Sequence, residues 1–208
     1  MIFRKNSCLF AAAALVAFLV PAATPASGAD TYSIDPAHSS VVFKVRHLLT
    51  KVHGTFDGFE GTIVRDAEMP AHSSVRFTIE TASINTANGD RDDHLRASDF
   101  FDAEKFPTIE FESTSVEATG DGEYQVTGLL NMHGVAREIV LPVRFLGEMS
   151  FRGGLRAGFE TSITLDRKQW GISWNRALDQ GGAILGDDVL IEINLETVKQ
   201  QEEQEAAE

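Results

Sequence analysis

The chain has 208 residues, with 18 Lys plus Arg against 31 Asp plus Glu, a formal net charge of −13. That balance argues against binding a nucleic-acid backbone, which needs clustered Lys and Arg, and against electrostatic docking on anionic lipid surfaces. Apolar residues at 43% are too many for a disordered chain, and the single cysteine, Cys8, excludes an intrachain disulfide framework and any CxxC site.

The chain opens with Arg4 and Lys5, followed by the uncharged stretch Cys8 to Val20, then Pro21, Pro25 and the small residues Ser27-Gly28-Ala29. This basic, apolar, small-residue order predicts a signal peptide over residues 1–29, removed before Asp30. The apolar run is shorter than the ~20 residues that a transmembrane helix needs. A lipoprotein would carry its cysteine at the end of the run, whereas Cys8 stands at its beginning. The expected destination is a bacterial periplasm, and the mature chain then has no cysteine.

From Asp30 the chain reads as strands of one domain, residues 30–199, with an acidic, frayed tail over residues 200–208. Apolar residues fall on alternate positions at Val41, Phe43 and Val45, then at Val75, Phe77 and Ile79. The segment Asn88 to Lys105 is charged and lacks alternation, which predicts a short helix around Asp90 to Ala97. Alternation resumes at Ile109 and Phe111, then at Val126, Gly128, Leu130 and Met132. Tight turns are expected at Thr119-Gly120-Asp121-Gly122 and Asn131-Met132-His133-Gly134. Val135 to Phe145 keeps an apolar odd phase, with Arg137 as an exception. Leu155 to Leu165 and Val189 to Leu195 follow the same rule, and Asp166 to Trp170 fits one helical turn.

Eight to ten strands with one apolar and one polar face belong to an antiparallel sheet. Long strands favour closure into a barrel of about eight strands, because closure removes exposed edges. The outward phase is polar, so this is not an outer-membrane barrel. Such a barrel is just wide enough to be filled by side chains or to hold one small ligand. The small inward residues Gly128, Ala157, Ser113 and Ser115 predict that a cavity remains, and its apolar walls suit an apolar ligand.

Five segments in order carry a resemblance. The first is Tyr32-Ser33-Ile34-Asp35-Pro36-Ala37-His38-Ser39, leading into Val41 to Leu48 and on to Val52-His53-Gly54-Thr55-Phe56-Asp57-Gly58-Phe59-Glu60-Gly61. The second runs from Arg91 to Asp102 and closes on Phe106-Pro107-Thr108-Ile109. The others are Gly128 to Val135, Arg156-Ala157-Gly158-Phe159, and Arg167-Lys168-Gln169-Trp170-Gly171. Together they resemble the YceI-like family of exported proteins over about Thr31 to Val198. The resemblance implies an all-β, lipocalin-like extended antiparallel β-barrel with a helical insert. It implies binding of a long apolar chain, polyisoprenoid or fatty-acid-like, in transport, storage or stress response. It implies no cofactor, metal or catalytic cycle, and it leaves a homodimer open.

His47 follows Val45 in phase, so alternation points it inward. It reads either as an anchor or gate for a ligand head group, or as a core histidine bonded to backbone. Arg91 and His94 read either as contacts to a phosphate or carboxylate head, or as parts of a salt-bridged helix packed through Leu95, Phe100 and Phe101. Phe43, Val45, Phe56, Phe101, Phe106, Phe111 and Trp170 are the expected cavity lining, and Asn175 a rim contact. Asp92-Asp93 and Asp187-Asp188 read as solvated loop charge. No GxSxG elbow and no HxH or HExxH spacing occurs. Two rival readings stay open: an enzyme on a lipid-like substrate with His47 and a carboxylate as acid and base, and a filled structural domain.

Overall fold

Alternating Val, Ile, Phe and Thr residues favour extended backbone with one buried face, and the chain uses that preference eleven times. The computed structural model describes residues 28–179 and 182–201. The expected leader and tail fall almost wholly outside those residues. The strands are β1 (Asp30–Ile34), β2 (Ser40–His47), β3 (Thr50–Phe56), β4 (Phe59–Arg65), β5 (Ser74–Glu80) and β6 (Ile84–Asn85). After the helix α1 (Gly89–Arg96) come β7 (Thr108–Gly120), β8 (Glu123–Met132), β9 (Val135–Phe151), β10 (Gly154–Asp166) and β11 (Leu185–Lys199).

Eight of these strands close a ring in the order β1-β4-β5-β7-β8-β9-β10-β11, and β11 returns to β1. All the pairings are antiparallel. The expected barrel of about eight strands is therefore the observed one. The long strand β11 closes it twice over on the same edge. Its end pairs with β1 (Tyr32 opposite Lys199), while its first two thirds pair with β2 (Ile191 opposite Phe43). Between β1 and β2 the chain breaks at Asp35, whose Oδ1 accepts the Ala37 N–H to start a single turn at Pro36–His38. β3 and β6 extend this side of the wall beyond β2.

The turns follow local chemistry. His133 and Gly134 have φ of 52° and 74°, the paired left-handed geometry of a two-residue hairpin. Asp121-Gly122 joins β7 to β8 in the same two-residue space. The helix begins one residue earlier than expected because Asn88 caps it, its side chain accepting the Arg91 N–H at 3.0 Å. The predicted turn after β10 is a 3-10 turn at Arg167–Trp170, ended by Gly171 at φ 77°.

Pairing between β9 and β10 stops at Val143 opposite Thr161, beside Pro142, which has no N–H to donate. Beyond that point the two strands diverge. The 167–170 turn bridges their ends through Arg137 Nε, which donates to the Gln169 carbonyl at 2.6 Å. This is why Arg137 breaks the apolar phase of β9. One core cluster is built from buried residues of β1 to β8, with Phe43, Phe56, Phe59, Phe77 and Phe111 at its heart and half-buried residues of β9 and β11 packed against it. A second cluster of Tyr32, Ile63, Ala157 and Phe159 plugs one end.

Candidate functional site

The inward side chains leave a cavity of about 420 Å³, within the roughly 300–1,000 Å³ typical of ligand sites. The space does not come from the small inward residues, which corrects that expectation. None of Gly128, Ala157, Ser113 and Ser115 borders the cavity. A Cβ on Gly128 would lie 2.6 Å from Phe111 Cζ, so the Phe111 ring already occupies that room. Gly54 admits Phe43 in the same way, with Cζ 2.5 Å from where a Cβ would stand. Ala157 is packed among Tyr32 and Phe159, and Ser113 sits at a bulge with its hydroxyl accepting the Val75 N–H. Residues of both halves border the cavity, Phe77, Ile79, Ile109 and Phe111 on one side and Ile139, Leu141, Ile163, Leu165, Ile191 and Ile193 on the other, and only the second set is half-buried. Ring circumference, which no single residue encodes, creates the cavity.

One end of the cavity is closed. The Tyr32 hydroxyl donates to Glu148 Oε1 at 2.8 Å, and Arg65 Nη1 donates to the same oxygen at 3.1 Å. Burial, then the Glu148 carboxylate, push the Tyr32 phenol far above its ordinary range, so it remains a donor. Arg65 also lies 4.1 Å from the centroid of the Phe145 ring. Two polar atoms on residues that border the cavity are buried without a partner among the described residues: Arg65 Nε and the Thr161 hydroxyl.

The other end is a mouth framed by α1, the β2–β3 hairpin and the loop after Gly171. Asp92 is buried there, accepting the Thr86 N–H at 2.8 Å and the Thr86 hydroxyl at 2.5 Å. The same Thr86 oxygen accepts Arg91 Nε at 2.7 Å, and the Thr86 carbonyl accepts Arg91 Nη2 at 2.9 Å. Asp92 is thus not the solvated charge the sequence suggested. It is the anchor of a relay that holds Arg91 at the mouth, leaving Nη1 uncommitted among the described residues. His94 hydrogen-bonds Asp99 through Nε2 at 2.8 Å and meets Phe100 and Trp174 edge-on at centroid distances of 4.9 and 5.0 Å. Phe101 stands edge-on to Phe56 at 5.8 Å, and Phe56 packs on Phe43 at 5.7 Å. Arg167 is buried beneath the loop, donating to the Gly186 and Ile172 carbonyls. Its burial weakens its hold on the proton, while Asp187 and Asp166 oppose that.

The structure brings eight of the expected residues to the cavity: Phe43, Val45, His47, Phe56, Arg91, His94, Phe101 and Phe111. His47 is exposed on the rim, with no hydrogen bond from its ring among the described residues, so it is not a backbone-bonded core histidine. Three expected residues lie elsewhere. Phe106 packs edge-on to His133 outside the cavity wall, at 4.8 Å. Trp170 is 1% exposed and braces the 167–170 turn against β8, its Nε1 donating to the Leu130 carbonyl. Asn175 clamps Leu185 in both directions, Nδ2 to its carbonyl and Oδ1 from its N–H. Trp174, Ile172, Arg167 and Thr86 border the cavity instead. The left-handed Gly171 reverses the chain after Trp170, so of two nearby tryptophans the second reaches the mouth. Only the reversal at a glycine hinted at this.

Away from the cavity, Asp35, His38 and Glu196 are close enough to share a cation. Arg156 Nη1 already bonds both carboxylates, Asp35 at 2.7 Å and Glu196 more closely still. The Arg156 bond first, and His38 second, pull the Asp35 carboxyl down to about 2. Among the described residues no helix is long and apolar enough to cross a membrane.

Comparison with known proteins places these features. Residues 32–197 match the model of the YceI-like domain. A UPF0312 protein of Pseudomonas putida is 36% identical over 195 residues, spanning 92% of this chain and 97% of that protein. A UPF0312 protein of Ectopseudomonas mendocina is 42% identical over 149 residues, 70% of this chain and 78% of that one. Among solved structures, Burkholderia cenocepacia BcnA superposes with a TM-score of 0.71 at 24% identity, over 78% of this chain and 98% of BcnA. A polyisoprenoid binding domain from Saccharophagus degradans gives 0.61 at 16% identity, over 81% and 98%. At those identities the two structures show a shared fold.

Proposed function

The chain belongs to the YceI-like family, and from that membership we propose that its barrel holds one long-chain, isoprenoid-type lipid as a carrier. One observation carries the proposal: a cavity walled by aliphatic and aromatic side chains, with its polar groups gathered at the two ends. Burial of an apolar chain there is favoured by about 25 cal/mol per Å² removed from water. The Saccharophagus domain of the same fold is a polyisoprenoid binder, which supports the same ligand class. At the mouth, the uncommitted Arg91 Nη1 and the His47 ring suit an oxygen-bearing head such as a quinone carbonyl or a phosphate. At the closed end the unpartnered Arg65 Nε and Thr161 hydroxyl offer a second polar contact.

The reading is of a binder with no chemical step. His47 has no carboxylate partner among the described residues, Arg91 is tied to Thr86, and His94 to Asp99. The leader expected over residues 1–29 supports a carrier that acts outside the cytoplasm, in a periplasm. The test is mass spectrometry of organic extracts from natively purified protein, with thermal unfolding in added isoprenoid alcohols and quinones. A bound isoprenoid and a raised Tm are expected, both lost in Val189→Trp, which puts a ring into the void. An empty barrel that no isoprenoid stabilises would overturn the proposal.

A further inference from the structure

The net charge describes the whole chain, and one part of the surface departs from it. The stretch from Lys44 to Phe56, which forms the end of β2 and all of β3, contains no Asp or Glu, but Lys44, Arg46, His47, Lys51 and His53. Register sets Arg46 directly opposite Lys51 and Lys44 opposite His53. Like charges facing across a strand pair are destabilising, so the fold gains nothing from this placement. Lys44 finds Glu192, but neither Arg46 nor Lys51 has an ion-pair partner among the described residues. At the tip of the same hairpin stand Leu48 and Leu49, the latter 93% exposed.

The neighbouring loop continues this surface. The Leu48 N–H donates to the Ile184 carbonyl, and the Ile184 N–H to the Arg176 carbonyl. Exposed Arg176 and Leu178 are thereby set beside the tip, with Asp179 as the nearby acid. Asp187, in the bulge of β11 that faces the end of β2, is held by Lys168 and Arg167, while Asp188 beside it has no ion-pair partner among the described residues. Across the mouth, α1 carries Asp90, Asp92 and Asp93 against Arg91 and Arg96, with Asp93 paired to Arg96 and, just after the helix, Asp99 paired to His94. The rim is therefore divided into a cationic arc with exposed leucines and a nearly balanced arc without them.

We propose that the β2–β3 hairpin is a docking surface for an anionic phospholipid bilayer. Leu48, Leu49 and Leu178 enter the headgroup layer, and Arg46, Lys51 and Arg176 contact its phosphates. Exposed apolar side chains flanked by cations are the chemistry of interfacial binding. A Debye length of about 8 Å at physiological salt screens the acidic remainder of the barrel from the surface. Within that range the rim's own charges decide the orientation, so the cationic arc faces the surface and the far end of the barrel points away. His47 and Leu185, paired next to the hairpin tip, border the cavity, so docking brings the mouth to the membrane. Its role in loading rests on the lipid-carrier reading, but the docking itself does not.

Co-sedimentation with vesicles of phosphatidylglycerol and phosphatidylethanolamine tests the proposal, with pure phosphatidylcholine vesicles beside them. Binding to the anionic vesicles that falls as salt rises is expected. Arg46→Glu with Lys51→Glu lowers vesicle affinity about tenfold or more, and Leu48→Ser with Leu49→Ser does the same. Phe151→Ser, on the exposed β9–β10 turn at the opposite end of β10, leaves binding unchanged. No sedimentation with anionic vesicles, equal binding to phosphatidylcholine, or indifference to the charge reversals overturns the proposal. So does a wild-type dimer that the tip substitutions dissolve, since the tip would then be covered by a second copy. Quenching of tryptophan fluorescence by geranylgeraniol, without vesicles, is the separate readout of the cavity. The tip variants keep it, and a wild type that lacks it would count against the carrier reading while leaving the vesicle result to decide docking.

Discussion

The two halves of the barrel are built from similar alternating sequences and end in different states. On the β4–β8 side, inward Phe59, Phe77, Ile79, Ile109 and Phe111 are all below 9% exposed, although the last four also border the cavity. On the β9–β11 side, inward Ile139, Leu141, Ile163, Ile191 and Ile193 face the void and remain half-buried. The first half provides the tight packing from which proteins draw most of their stability. The second is a preformed apolar surface left for a ligand. Side-chain alternation specifies which face is inside, but not whether anything meets it there.

That contrast can be broken by experiment. Phe111→Ala removes a ring wedged against Gly128 and is expected to cost about 3–5 kcal/mol, measured by urea unfolding. A cost near 1 kcal/mol would show that this half is also loose. At the mouth, Asp92→Ala strips the Thr86 N–H and hydroxyl of their acceptor and should cost about 1–3 kcal/mol. It also frees Arg91, so isoprenoid affinity should fall with it, whereas a stability loss alone would mean that Arg91 does not touch the ligand. Ile191→Ala, on the less buried wall, should cost about 2 kcal/mol in the ligand-free protein, because the side chain is only half-buried where it meets the core cluster. A loss as large as that of Phe111→Ala would erase the distinction between the halves.

The smallest effect lies at the break between β1 and β2. Asp35 has its carboxyl lowered from 3.8 to about 2, chiefly by the Arg156 bond. A lowered folded value means that its contribution is complete above pH 3.8 and disappears as pH falls towards 2. Unfolding followed through that window should show a steepening acid limb that Asp35→Asn flattens. An unchanged acid limb would remove Asp35 from the closure of β1 on β11.

Much of the fold was legible because its signals are local. Two-residue turns at Asp121-Gly122 and His133-Gly134, the cap at Asn88 and the period of two all act over a few residues. Phe43, Val45, Phe56 and Phe111 could be assigned to the interior for the same reason. Phe106, Trp170 and Asn175 could not be told from lining residues, because whether an aromatic or amide faces the void or braces a turn depends on chain that arrives from elsewhere. Asp92 shows the same limit. Beside Asp93 it looks like surface charge, and only the approach of Thr86 from the β6 end makes it a buried acceptor.

By itself the sequence determined strand pattern, sheet face, helix position and the sign of the overall charge, since each follows from neighbours along the chain. Only the tertiary structure decided that the space inside is bordered by both halves and not by the small residues, because ring closure sets the width and the Phe43 and Phe111 rings fill the room over Gly54 and Gly128. It also decided that the few uncompensated cations of an acidic chain gather beside two exposed leucines at the mouth. Register and loop approach bring those residues together, and neither is written in any one segment.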